Sequence, residues 1–189
     1  MAPQARPVSA DEEEAALASR ARSGDRTAFA RLYERFAPAV HGVLLSSAPR
    51  EEAGDLVQEV FLLALRAIGR LQDPGSFGPW LLAIARNRAR DAHKSRKPAI
   101  ELSAEIEAEA GARRSDAVPE GDDVAARAAL EAVRSLPEAY RETLILRLVE
   151  GMTGPEIASR TGMTHGSVRV NLHRGMKLLR ERIARGGLE

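Results

Sequence analysis

The segment TGPEIASRTGMTHGSVRVNLHRGMKLLRERI, Thr153–Ile183, has the pattern of two helices joined by a tight turn. Thr153 stands three residues before Glu156 at the start of an apolar-periodic run, which predicts a capping box. Pro155 suits a first helical turn, and Gly162 suits the left-handed residue that ends many helices. The segment therefore predicts a short helix that ends at a glycine turn.

A second, longer helix is predicted to follow this turn, with Thr164 as its N-cap. Its apolar residues recur every three or four positions and form one stripe: Val168, Leu172, Met176, Leu179 and Ile183. Polar and basic residues lie off that stripe: Arg169, Asn171, His173, Arg174 and Lys177. A short helix, a glycine turn and a long basic helix form the helix-turn-helix pattern, whose second helix enters the major groove of DNA by its N-terminal end.

The composition of the 189-residue chain favours helical bundles. Aromatic residues make up 4% and hydrophobic residues 44%, without convincing two-residue alternation, so an all-α fold is predicted. The chain has no cysteine, which excludes disulfides and thiolate metal sites. Its longest apolar run is far shorter than the ~20 residues of a membrane span, and the N-terminus lacks the apolar core of a signal peptide. We therefore expect a cytoplasmic protein with no membrane insertion.

The net charge of the chain is only +1, but its charged residues are unevenly distributed along the sequence. Residues 86–97 hold six Arg or Lys against one Asp, and residues 160–185 hold seven against one Glu. Between these blocks, residues 98–123 hold eight Asp or Glu against two Arg, and their Pro and Gly content predicts a flexible acidic linker. Two basic blocks separated by an acidic spacer indicate contact with nucleic acid in two places.

Cap and breaker residues divide the rest of the chain into helices. Ser9 and Glu12 predict a capping box, Asp25 predicts a second cap, and Pro38 predicts a kink or restart in the second helix. In the C-terminal half a helix is predicted to begin near Asp123, and the next to begin after Leu136-Pro137. The predicted units are a disordered segment 1–8, a bundle 9–97, the linker 98–123, a winged-helix-like or four-helix bundle 124–185, and a tail 186–189.

The predicted third helix, residues 51–68, has two faces at about 100° per residue. One face is apolar and is assigned to the core: Ala53, Val57, Val60, Phe61, Ala64 and Ile68. The other carries polar residues around one leucine: Asp55, Gln58, Glu59, Leu62 and Arg66. Spacing alone leaves open whether this second face is solvated or docks a partner helix.

The predicted fourth helix, residues 77–94, follows a loop rich in Gly and Pro. Basic residues form one stripe on it: Arg86, Arg90, His93 and Lys97. A second stripe combines an aromatic ring, an amide and charges: Trp80, Asn87, Asp91 and Lys94. An ordinary basic helix and a reader of single-stranded DNA both remain open. A reader would use the ring for stacking, the amide for base edges and the cations for phosphates.

Five motifs occur in order along the chain. They are GDRTAF at 24–29, DLVQEVF at 55–61, FGPWLLAIARN at 77–87, LPEAYRE at 136–142, and the segment that begins EGMTGPEIA at 150 and ends LHRG at 175. With them the chain resembles a bacterial RNA polymerase sigma factor of the extracytoplasmic-function type in the sigma-70 family. The resemblance covers residues 24–182 except the linker. It implies a promoter-specificity subunit that binds core polymerase, recognises the −10 and −35 elements, and directs initiation and promoter opening.

The resemblance also implies roles for individual residues of the first bundle, sigma region 2. Four residues would dock on the clamp helices of the polymerase β′ subunit: Asp55, Gln58, Glu59 and Leu62. Five would contact the −10 element: Trp80, Arg86, Asn87, Arg90 and Lys94. Among these, Asn87 would line a site for an unstacked base, with Trp80 packed near it.

The second bundle, sigma region 4, would hold the polymerase β flap and read the −35 element as duplex. By the resemblance its contact residues are Thr164, Ser167, Arg169, Val170, Asn171, His173, Arg174 and Lys177. Val170-Asn171 departs from the Ser-Arg that the family often has, and Val170 would favour a thymine methyl. Gly175 stands where relatives usually carry alanine, and it is expected to weaken the helix by up to ~1 kcal/mol.

Other functions explain less of the chain. A stand-alone helix-turn-helix regulator that binds operator duplex would use residues 124–185 but would leave DLVQEVF and Trp80 without a role. An enzyme would need a nucleophile, paired acids or metal ligands, whereas the four histidines are scattered and there is no cysteine. We therefore expect no catalytic activity, metal or cofactor. Because an acidic linker separates the basic blocks, the free chain is expected to prefer interdomain closure or an anti-sigma factor over DNA.

Overall fold

The computed structural model describes the backbone of residues 9–107 and 121–186, and the side chains within these ranges except 93–125 and 186. The described residues form eight α-helices and no β-strand, which confirms the all-α prediction. The helices are α1 (Ala10–Arg22), α2 (Arg26–Leu45), α3 (Arg50–Ala67), α4 (Phe77–Glu107), α5 (Gly121–Arg134), α6 (Glu138–Leu148), α7 (Gly154–Thr161) and α8 (His165–Gly186). The predicted disordered segment 1–8, residues 108–120 of the predicted linker, and residues 187–189 of the predicted tail lie outside the described residues.

The predicted caps of the first two helices are confirmed. Glu12 N donates to Ser9 Oγ at 3.2 Å while Ser9 N donates to Glu12 Oε2 at 2.8 Å, which completes a capping box. Asp25 Oδ1 accepts from Ala28 N at 3.0 Å at the start of α2. Pro38 neither breaks nor restarts α2, which is continuous across it. Buried residues on both sides of this exposed proline hold the two halves of the helix against one core.

Helices α1 to α4 pack around two phenylalanines in the N-terminal module. The rings of Phe36 and Phe77 are both buried and meet edge to face, with centroids 5.1 Å apart. The six residues assigned to the core face of α3 are all buried, as predicted: Ala53, Val57, Val60, Phe61, Ala64 and Ile68. The opposite face of α3 is therefore directed away from the core.

Two helix boundaries differ from the sequence prediction. Helix α4 continues to Glu107, beyond the predicted end at Lys94, so residues 98–107 of the predicted linker are helical. This segment is rich in Ala and Glu, whose high helix propensity offsets the interruption at Pro98. Helix α5 begins at Gly121, before the predicted cap at Asp123.

The N-terminal module (α1–α4) and the C-terminal module (α5–α8) share their cores. The cluster around Phe36 also contains Ile157 and Val168 of the C-terminal module. A second cluster joins Leu45 of α2 to Ile145 of α6. The apolar stripe of the helix-turn-helix therefore packs partly against the other module.

Gly175 is buried where α8 crosses α6. A Cβ built on Gly175 would lie 2.9 Å from Leu144 Cδ1 and 3.1 Å from Tyr140 Cβ. Leu144 is itself fully buried, so it has little room to move away. The glycine thus permits a close approach of α8 to α6. Helix propensity, which concerns one helix alone, does not take this packing role into account.

We expect Gly175→Ala to lower the free energy of unfolding by about 1–3 kcal/mol, because the added methyl group overpacks the crossing. This loss should exceed the gain of up to ~1 kcal/mol in helix propensity. Gly54 in α3 provides a matched control, since a Cβ there meets no neighbouring atom within 4 Å in the described part of the chain. Urea denaturation should find Gly54→Ala more stable than wild type and Gly175→Ala less stable. Equal stabilisation of both variants would contradict the packing role.

Candidate nucleic-acid and protein interfaces

The helix-turn-helix begins with the predicted capping box. Thr153 N donates to Glu156 Oε2 at 2.7 Å, and Glu156 N donates to Thr153 Oγ1 at 3.4 Å. Hydrogen bonds from Thr153, first from its hydroxyl and then from its backbone N–H, lower the pKa of Glu156. Gly162 has φ 74°, in the left-handed region, and Ser167 N donates to Thr164 Oγ1 at 3.1 Å. These local contacts fix the turn and the start of α8.

The outer face of α8 carries the residues that the family resemblance assigns to the −35 element. Val168 is 1% exposed and anchors the inner face. Seven of the eight predicted residues are exposed: Thr164, Ser167, Arg169, Val170, His173, Arg174 and Lys177. The eighth, Asn171, is half-buried, with Nδ2 4.0 Å from Met163 Sδ. The prediction that Ile183 belongs to the buried stripe is wrong: it is 56% exposed, because residues 181–185 of α8 are exposed on every side.

The polar face of α3 is exposed as a continuous surface. Asp55, Gln58 and Glu59 are exposed, and Leu62 at its centre is 53% exposed. Arg88 Nε of α4 donates to Glu59 Oε2, so one of these carboxylates is already engaged within the chain. This surface is oriented away from the core, as a docking face requires.

Two further leucines extend the surface around Leu62. Leu63 and Leu65 are 42% and 47% exposed and flank it on α3. Sequence reasoning missed them, although the run FLLAL at 61–65 holds more apolar residues than one buried helix face can accommodate. An exposed apolar centre within a polar rim is the usual anatomy of a protein–protein interface.

The −10 candidates on α4 occupy different environments. Trp80 is half-buried, with its ring centroid 5.8 Å from that of Phe77. Asn87 and Arg90 are exposed, and Arg90 Nη1 donates to Asn87 Oδ1 at 3.1 Å. Lys94 lies within α4, but its side chain is outside the described part of the structure.

Arg86, the remaining −10 candidate, is paired with the other module. Its Nε and Nη2 donate to the two carboxylate oxygens of Glu142 at 2.9 and 2.8 Å, a bidentate pair. The hydrogen bonds to Glu142 raise the pKa of Arg86. Sequence reasoning missed this pairing, because Glu142 lies 56 residues away and belongs to the LPEAYRE motif of α6.

Within the described ranges, none of the helices combines the length and the apolar character that a membrane-spanning helix needs. No group of three or more His, Asp or Glu side chains there is arranged to hold a metal ion.

Comparisons with known proteins agree with this geometry. Sigma-70 region 2 matches residues 32–98, and Sigma-70, region 4 matches residues 126–179. RNA polymerase sigma factor CarQ of Myxococcus xanthus is 36% identical over 90% of this chain and 97% of its own length. ECF RNA polymerase sigma factor SigD of Mycobacterium tuberculosis is 33% identical over 91% of this chain and 84% of its own length. A solved structure of CnrH in complex with the cytosolic domain of CnrY superposes with a TM-score of 0.59, at 25% identity over 91% of this chain and 97% of that one.

The chain thus has two helical modules, one with a helix-turn-helix and the other with a basic helix. This is the architecture of proteins that recognise promoter DNA through two separate modules. The chain belongs to the sigma-70 family of RNA polymerase sigma factors, in its extracytoplasmic-function group.

Proposed function

We propose that this sigma factor directs core RNA polymerase to promoters through three separate surfaces, and that α3 carries the polymerase contact. Asp55, Gln58 and Glu59 would bond polar groups of the β′ clamp helices around the apolar contact of Leu62. The exposure of that leucine supports the assignment, because a solvated helix face gains nothing from an apolar centre. The C-terminal module would hold the β flap.

Helix α4 is the proposed reader of the −10 element. The exposed amide of Asn87 can bond the edge of an unstacked base, and Arg90 beside it can bond phosphate. Trp80 is held by packing against Phe77, which suits a ring that supports a flipped base without moving. Arg86 and Lys94 would add phosphate contacts.

Helix α8 is the proposed reader of the −35 duplex. Arg169 and Arg174 can bond guanine in two places, Asn171 can bond adenine, and Val170 can contact a thymine methyl. The other exposed residues of this face would bond phosphate and fix the register: Thr164, Ser167, His173 and Lys177. Asn171 would have to leave its contact with Met163 to reach a base.

One observation carries the proposal: a helix-turn-helix and an exposed polar face with an apolar centre on α3 occur in the same chain. A stand-alone regulator accounts for the first and leaves the second unexplained. The chain would act in the cytoplasm beside RNA polymerase and would have no catalytic activity of its own. The likeness to CnrH, solved with the cytosolic domain of CnrY, supports an anti-sigma factor as a further partner.

Run-off transcription from a promoter library tests the proposal. With core polymerase and the full chain, we expect transcripts that share one −35 and −10 pair, and none when either protein is omitted. Binding of the free chain to the selected promoter should be weak until core is added. Absence of transcripts from every sequence would overturn the proposal, and tight core-independent binding to duplex would favour the stand-alone regulator.

A further inference from the structure

Arg88 of α4 is directed toward α3. It belongs to neither of the two stripes predicted on α4, and its Nε donates to Oε2 of Glu59 on α3. The Arg88 side chain is 29% exposed and that of Glu59 is 48% exposed. The carboxylate is therefore the more accessible partner of this ion pair, and it lies on the polar face of α3 proposed to dock polymerase.

Three carboxylates on two helices act on the Arg88 guanidinium. The hydrogen bond to Glu59 raises the pKa of Arg88 although partial desolvation opposes it, and the charge of Glu59 adds to the rise. The charges of Asp91 and Glu52 act in the same direction. Glu52 lies seven residues, about two turns, before Glu59, so both are on one side of α3. One cation among three carboxylates leaves this side of the docking face acidic.

The pairing with Arg88 leaves Glu59 able to bind a second donor. A carboxylate has about four acceptor positions, and the hydrogen bond from Arg88 Nε uses one of them. A cationic group of the polymerase can therefore bind the same carboxylate without displacing Arg88. A glutamate that is already held in one conformation also loses less conformational entropy when a partner binds it.

We infer that Arg88 is a positioning residue of the docking face, which holds the Glu59 carboxylate in place for a cationic group of the polymerase clamp helices. This role rests on the proposed function, because it requires α3 to be the docking face. Arg88 would thereby assist polymerase binding from α4, the helix proposed to read the −10 element. The same ion pair fixes the docking helix to the promoter-reading helix.

A double-mutant cycle on the affinity of the full chain for core polymerase tests this role. Arg88→Met removes the charge and keeps an apolar stem in the half-buried position. It should lower the affinity by about 2- to 12-fold, which corresponds to the cost of ordering one long side chain. In a Glu59→Ala background the same substitution should have no further effect, because Arg88 then has no docking carboxylate to hold.

Arg31→Met is the matched control for Arg88→Met. Arg31 of α2 pairs with Glu13 of α1 at 3.0 Å, so this substitution breaks another ion pair between two helices of the N-terminal module. It should leave the affinity for core polymerase unchanged. Arg88→Lys should recover part of the loss seen in Arg88→Met, since an ammonium group can pair with Glu59 but lacks the fixed guanidinium geometry.

An unchanged affinity of Arg88→Met would overturn the positioning role. A higher affinity would overturn it too, because Arg88 would then compete with polymerase for Glu59. An equal loss in the Glu59→Ala background would also overturn it, since Arg88 would then act by direct contact or through the fold. If Glu59→Ala and Leu62→Asp both bound core polymerase like wild type, the proposed docking face would be refuted and this role with it. A loss in Glu59→Ala beside normal binding of Arg88→Met would refute the role of Arg88 alone.

Discussion

Leu62→Asp should abolish capture of this sigma factor by core RNA polymerase, with a loss of affinity of at least ~30-fold. Truncating a central interface anchor commonly costs 2 kcal/mol or more, which corresponds to that factor. Aspartate would also place a charge among the acidic groups Asp55 and Glu59 and against the apolar surface of Leu63 and Leu65. Since Leu62 is 53% exposed and outside the core, the fold should persist. A pull-down with immobilised core polymerase measures the effect.

Ile183→Asp provides the matched control for this substitution. Ile183 is 56% exposed at the end of α8, so the same change from apolar to acidic is made at equal exposure away from α3. It should leave core capture unaltered. Full capture of Leu62→Asp by core polymerase would exclude α3 as the docking face.

The elements that the sequence predicted well are those specified by neighbouring residues. Thr153 and Glu156 form their capping box within a single turn, and Gly162 adopts the left-handed conformation that ends α7. The same holds for Ser9 and Asp25 at the starts of α1 and α2. At the three N-caps, the deciding hydrogen bond links residues three positions apart, so both partners lie within the same short stretch of sequence.

The charge pattern led to the expectation of interdomain closure, but the individual contacts between the modules could not be predicted in this way. Glu14 and Arg160, which form one of these contacts, are 146 residues apart, and neither stands out from the many charged residues of the chain. Periodicity identified Val168 as buried but not what covers it, which is the core of the other module. A helical stripe specifies which side of a helix is buried, whereas the partner depends on how the modules pack.

The same limit applies within the candidate sites. Arg86 lies on a basic stripe and is a −10 contact by the family resemblance, whereas in the structure its guanidinium pairs with Glu142. Gly175 was interpreted through helix propensity alone, yet its position against Leu144 gives it a packing role. Only the tertiary contacts show what these two residues touch.

Arg169→Ala should relax base preference at one position of the −35 element and weaken use of the preferred promoter by about 5- to 150-fold. A bidentate contact from arginine to guanine discriminates by ~1–3 kcal/mol, which corresponds to this range. Arg169 is fully available for such a contact, since it is exposed near the N-terminal end of α8. Asn171→Ala should have a smaller effect, because its amide already contacts Met163. Run-off transcription from promoters that carry each −35 variant measures both.

Arg180→Ala controls for loss of positive charge, since Arg180 is exposed on the same helix farther from its N-terminal end. It should reduce transcription from all promoter variants slightly and equally, because only a non-specific attraction to phosphate is lost. Core capture should be normal in all three variants, because none of the three residues is assigned to a polymerase contact. If Arg169→Ala reduced transcription from every −35 promoter variant to the same extent, Arg169 would be a phosphate contact. Arg174 and Val170 would then be the candidates for base recognition. If it abolished core capture, α8 rather than α3 would hold the polymerase.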